Sequence, residues 1–191
     1  MIITILAEPR SGSTNLALWF KFQKNFTVFI EPLNPDMRAY DEYKNGVSPK
    51  LWEYNTSNLL VKEICNSNTT DMPELLEMSD KIVLLYRKNK FQQMESWLNA
   101  TTSGKWYEKW KPNNLIINNK ENKIKYFNNM KESFKTDYLD NDSFFKISYE
   151  ELYNGDGFKR FLNYLNIDDL EDLPFPYGEK LRIDTKPNKL L

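Results

Sequence analysis

Two periods alternate along this chain. Short apolar runs rich in β-branched residues occur at Ile2-Ile3-Thr4-Ile5-Leu6-Ala7, Thr27-Val28-Phe29-Ile30, Leu59-Leu60-Val61-Lys62 and Lys81-Ile82-Val83-Leu84-Leu85-Tyr86, with a fifth over 144–148. Runs of this length and composition predict strands buried on both faces. Between them, apolar residues recur three and four apart, which predicts helices over about 12–24, 72–78, 89–101, 123–138 and 155–166, with a short one around 37–44. Phe158, Phe161, Leu162 and Leu165 form one apolar helix face. Alternating strands and helices predict an α/β fold, a central parallel sheet flanked by helices and joined by right-handed crossovers. The tail over 167–191, with Pro174, Pro176 and Pro187, reads as irregular.

Composition narrows the function classes. The chain has 191 residues, enough for one domain with a real core. A formal net charge of −1 gives no global basic field, which argues against a nucleic-acid partner and requires any anion site to be local. The lone Cys65 excludes an intramolecular disulfide and reads as a small buried hydrophobe. No run approaches the length of a membrane span, and the strand at the start lacks the basic region of a secretory leader. The expectation is a cytoplasmic protein without stable membrane insertion. Trp19, Trp52, Trp97, Trp106 and Trp110 read as core rather than as a ligand-stacking set.

The strongest chemical signal is Pro9-Arg10-Ser11-Gly12-Ser13-Thr14, set between the first strand and the first helix. A strand–loop–helix passage aims backbone N–H groups and the positive end of a helix dipole at one point. With an arginine and several hydroxyls added, that point suits a phosphate or sulfate. The loop lacks the paired glycines and Gly-Lys-Ser/Thr of nucleoside-triphosphatases, and the three glycines of dinucleotide binders. It resembles instead the 5′-phosphosulfate loop of the sulfotransferase family, in its carbohydrate, tyrosylprotein and bacterial branches. That resemblance implies a three-layer P-loop-like fold, one domain over residues 1–191, and binding of 3′-phosphoadenosine 5′-phosphosulfate (PAPS, product PAP) by Arg10, Ser11, Gly12, Ser13, Thr14 and Asn15.

Two further segments are similar to the family in the expected order. Lys81 to Ala100, with Arg87-Lys88 at a strand end and Ser96 on the following helix, resembles the 3′-phosphate segment. The family's spacing fits Lys88 to Ser96 and exceeds by one residue at Arg87, so Arg87 and Lys88 both stand as 3′-phosphate ligands with Ser96. The stretch Phe144 to Leu165 resembles the family's strand–Tyr-Glu-Asp-Leu–helix element, which implies that Tyr149 reaches the adenine. Lys186-Pro187-Asn188 resembles an element of the tyrosylprotein branch near the 3′-phosphate, which adds Lys186.

The reaction implied is sulfuryl transfer from PAPS to a hydroxyl on a carbohydrate, glycolipid or peptide, without a metal. The chain contains no histidine, so the histidine base of the aryl and alcohol branches is absent; at its place stands Lys62-Glu63-Ile64. A carboxylate base is then expected. Glu31, in Phe29-Ile30-Glu31-Pro32-Leu33, resembles the Glu-Pro element of carbohydrate sulfotransferases and is the first choice. Glu63 and Glu8 remain open for that role. Arg10 would hold charge on the bridging oxygen, with Lys62 as a second cation. A small-molecule or nucleotide kinase of related fold, and a non-catalytic module binding PAP or a sulfated ligand, remain as alternatives; the oligomeric state is left open.

Overall fold

A computed structural model describes residues 1–34, 58–65, 71–104, 119–154, 156–168, 170–173 and 175. The short helix expected around 37–44, the Lys186 element, and Trp52, Trp106 and Trp110 lie outside the described residues. Strands β1 (Ile2–Ala7), β2 (Phe26–Ile30), β3 (Asn58–Ile64), β4 (Lys81–Tyr86) and β5 (Phe145–Ser148) form one sheet in the order β2-β3-β1-β4-β5. All four pairings are parallel, with Ile5 opposite both Lys62 and Val83, and Leu85 opposite Ile147.

Helix α1 (Ser13–Lys21) connects β1 to β2, and α2 (Met72–Glu77) precedes β4. Helices α3 (Lys90–Ser103) and α4 (Lys120–Phe134) lie between β4 and β5, followed after β5 by α5 (Tyr149–Asn154) and α6 (Gly157–Leu165). β1 sends its connection toward β2, while β4 sends its own toward β5. The reversal between these two neighbouring strands is where open parallel sheets leave a crevice at their carboxyl ends.

Alternation along each strand builds two cores. Ile3, Ile5, Leu60, Val83 and Leu85 pack with Leu16 and Phe20 of α1 and Phe161 of α6. Leu6, Val61 and Leu84 face the other way, toward Leu75 of α2 and Phe134 of α4. Each such side chain, once removed from water, contributes about 1.5–3 kcal/mol. Trp97, Leu98 and Phe127 seal α3 to α4. Trp19 and Trp97 are buried, as is Cys65, whose thiol burial pushes well up.

Two elements differ from the sequence expectation. Residues 149–154 form a separate helix, because Ser148 and Glu151 make a reciprocal capping box: Glu151 Oε2 accepts from the Ser148 amide at 2.9 Å, and Ser148 Oγ accepts from the Glu151 amide at 3.2 Å. The helix expected over 123–138 starts at Lys120 and widens after Phe134 into a π-helical turn over Lys135–Leu139.

Candidate active site

The loop after β1 is anchored before it is exposed. The Glu8 amide extends the sheet to the Leu85 carbonyl at 3.0 Å, and the Ser11 hydroxyl donates to the Glu8 carbonyl at 2.7 Å. Arg10 and Gly12 then take left-handed backbone, with φ 62° and 81°. Arg10 does so against the steric cost to a side-chain-bearing residue, a kind of strain that concentrates at functional loops. At Gly12 nothing larger fits, since a Cβ would stand 2.8 Å from Tyr153 and 2.9 Å from Tyr149 ring carbons. Tyr153 Oη donates to the Gly12 carbonyl at 2.7 Å.

The turn places the first residues of α1 at the crevice. The Ser13 and Thr14 amides precede the first bonds of the helix, from the Asn15 and Leu16 amides to the Gly12 carbonyl at 3.1 and 3.3 Å, and so point out of the helix end. Ser11 and Ser13 are buried, Thr14 is half-buried and Asn15 is exposed.

β4 delivers the second arginine to the same place. Arg87 Nη1 donates to the Arg10 carbonyl at 3.3 Å and Nη2 to Gln92 Oε1 at 3.1 Å, while the guanidinium lies over the Tyr149 ring, 4.6 Å from its centre. Arg87 Nε is buried and meets no hydrogen-bond acceptor among the described residues. Arg10 Nε donates to Ser96 Oγ at 2.8 Å, so the loop after β1 and the helix after β4 touch directly. Burial, and then the charge of Arg87, hold the Arg10 guanidinium below its ordinary pKa. Two guanidiniums, the Ser96 hydroxyl and the free end of α1 make a set of donors suited to anionic oxygens, which is the chemistry a phosphosulfate and a second phosphate require.

Lys88 turns elsewhere. Its ammonium stands 3.4 Å from Glu151 Oε1 on the surface, where Arg160 also approaches at 3.8 Å. Its amide and that of Asn89 donate to the two carboxylate oxygens of Glu150, at 3.0 and 2.9 Å. Burial pushes Glu150 up, but these amides and Arg87 outweigh it and hold the carboxyl below its ordinary value.

Glu8, an acidic residue at the start of this loop, is held from behind. Its Oε2 accepts from the Arg87 amide at 3.0 Å, Gln93 Nε2 at 3.0 Å and Lys131 Nζ at 2.8 Å. Lys131 also donates to Gln93 Oε1 at 2.7 Å and lies 3.4 Å from the Arg87 carbonyl. The sequence reading missed Lys131. The available signal was its place between Phe127 and Phe134 on the buried stripe of α4, where an unpartnered lysine is costly.

A second polar group forms where β2 and β3 end. Lys62, 1% exposed, makes an ion pair with Glu31, whose other oxygen accepts from Asn34 Nδ2 at 2.9 Å. Burial lowers the Lys62 pKa, against the upward pull of Glu31. Glu31 too has left-handed backbone, φ 56°. Glu63 faces the opposite side of the sheet, as alternation requires, and accepts from the amides of Leu33 and Ile64, both at 3.0 Å. Burial pushes its carboxyl up to about 7, against those two amides. Glu31 and Lys62 therefore belong to one cluster at the β2–β3 edge, and Arg10, Arg87, Ser96 and Tyr149 to another at β1–β4.

No protein-family model matches the chain, and no curated protein matches it in sequence. In shape it is similar to the crystal structure of mouse sulfotransferase SULT7A1 complexed with PAP, at a TM-score of 0.54 and 16% identity. The likeness covers 88% of this chain and 59% of that chain. At such identity it establishes the fold: this chain has the α/β architecture of that sulfotransferase, a parallel sheet flanked by helices.

Proposed function

We propose that the chain is a PAPS-dependent sulfotransferase, one domain over residues 1–191, acting on a hydroxyl of a carbohydrate or glycolipid. The observation that carries this reading is the meeting of Arg10, Arg87 and Ser96 at the free end of α1, at the sheet's reversal point. Arg10 and the first amides of α1 hold the 5′-phosphosulfate, with Ser11, Gly12, Ser13, Thr14 and Asn15 shaping that loop. Arg87 and Ser96 hold the 3′-phosphate, and the Tyr149 ring faces the adenine.

In the reaction the acceptor oxygen attacks sulfur, and the bond from sulfur to the bridging oxygen of the donor breaks. The acceptor proton passes to the Glu31 carboxylate, while Arg10 and α1 hold the charge left on the 5′-phosphate of PAP. Lys62 keeps Glu31 oriented through their ion pair. None of the described helices is long and apolar enough to cross a membrane; a cytoplasmic location is part of the proposal.

Thermal shift tests the reading, because a ligand that binds only the folded state raises its melting temperature by mass action. PAP should stabilise the protein more than ATP with magnesium or sulfated sugars. Stabilisation by ATP–magnesium alone would favour a kinase. Binding of PAP without turnover across acceptors offered with labelled PAPS would favour a binding module.

A further inference from the structure

The buried group behind the two arginines takes no part in the transfer step proposed above, yet it ties together the loop after β1, the end of β4, α3 and α4. Glu8 follows β1, Arg87 follows β4, Gln93 lies in α3 and Lys131 in α4. One carboxylate oxygen of Glu8 gathers donors from the other three, and Lys131 closes the ring by donating to Gln93 Oε1. Glu8 and Gln93 are 2% and 0% exposed. Gln93 Nε2 also donates to the Pro9 carbonyl at 2.9 Å, immediately before Arg10. The backbone on both sides of the crevice is thus tied to a single point.

We propose that the Glu8–Lys131 pair is a positioning device that sets the separation of Arg10 and Arg87, and with it the preference for a ligand carrying two anionic groups at that separation. The inference rests on the reading of the site as a PAP site. Lys131 pairs with the buried Glu8 carboxylate, where an unpartnered charge would be costly. The Glu8 side chain fixes the Arg87 amide, and Gln93 fixes the peptide before Arg10. On this proposal Glu8 and Lys131 act through the arginines and not on the ligand directly.

Charge and position make opposite predictions for Glu8→Gln. If Glu8 mattered only as a negative charge near the site, its removal would tighten every anion. As a positioning residue, its loss should instead lower the ratio of PAP to adenosine 5′-monophosphate affinity, by about tenfold for one charge-assisted bond. Lys131→Met should lower that ratio similarly, and Lys131→Arg should restore much of it.

The experiment is calorimetric titration of wild type and the three single variants, together with Glu8→Gln/Lys131→Met, using PAP, adenosine 5′-monophosphate and inorganic pyrophosphate. The double variant removes both charges together and keeps the measurement possible if a single variant fails to fold. A reduced PAP preference in Glu8→Gln and in the double variant is the expected result. Tighter binding of all three anions by Glu8→Gln, or an unchanged ratio in the double variant, overturns the inference. Wild type that binds pyrophosphate but not PAP overturns the sulfotransferase reading instead; the inference then stands only if pyrophosphate affinity falls in both Glu8→Gln and the double variant.

Discussion

The two polar clusters at the carboxyl edge of the sheet are built on opposite plans. At β1–β4, two cations converge with neutral donors: two guanidiniums beside a helix N-terminus and the Ser96 hydroxyl, with Glu8 bound from behind by Lys131. At β2–β3 cation and carboxylate are balanced in one pair. Lys62 meets Glu31, and Glu63 is drawn toward its neutral form by burial. A cluster with excess positive charge suits a multiply charged donor, while a balanced one suits proton transfer to and from a neutral hydroxyl. The division also shows in the contacts: Arg10 and Ser96 are 86 residues apart in sequence, whereas Glu31 and Asn34 are 3 apart.

The largest effect should come from the balanced side. Glu31→Gln keeps the shape and the contact with Asn34 but removes basicity, and should lower kcat by about 10²–10⁴-fold with little change in PAP affinity. Steady-state kinetics and PAP titration check this; collapse in Glu63→Gln or Glu8→Gln alongside near-normal Glu31→Gln would move the base.

The balanced side should also govern stability against pH. The Glu63 carboxyl is raised in the folded state from an ordinary 4.5 to about 7. Its contribution is therefore fully present below about pH 4.5 and is lost as pH rises through 7. The loss is on the order of 3 kcal/mol. Urea denaturation between pH 4.5 and 8 should show this slope, and Glu63→Gln should flatten it. An equal slope in that variant would assign the titration to another group.

On the cationic side, Arg10→Ala should weaken PAP binding and turnover together, by about 1.5–3 kcal/mol, since a charge-assisted bond serves ground and transition states alike. Unchanged binding and kinetics would remove Arg10 from the site. A sharper division follows one strand away. Arg87→Ala should erase most of the preference for PAP over adenosine 5′-monophosphate. Lys88→Ala, which loses only the exposed contact to Glu151, should cost about 0–1 kcal/mol. Survival of the preference in Arg87→Ala with loss in Lys88→Ala would shift the 3′-phosphate ligand by one residue.

Much of this was legible beforehand for local reasons. β1 and β4 were read with the bounds they have, because a strand buried on both faces leaves a continuous apolar run. The opposite facing of Lys62 and Glu63 followed from alternation alone. α5 escaped because six residues are too few to show a helical period, and only its Ser148–Glu151 cap marked it. Lys131 escaped because one lysine among several on α4 carries no sign of its partner, which lies 123 residues away.

The amino-acid sequence by itself determined the five strands and the longer helices, the arginine- and serine-bearing loop between β1 and α1, and the absence of any imidazole. Those properties depend on neighbouring residues or on composition. Which charges meet was decided only by the tertiary structure, because the order β2-β3-β1-β4-β5 makes neighbours of strands far apart in the chain. That order brings Arg10 against Ser96 and Arg87, turns Lys88 toward Glu151, and pairs Glu8 with Lys131. A buried charge must find its partner across such strands, and no local period records where that partner is.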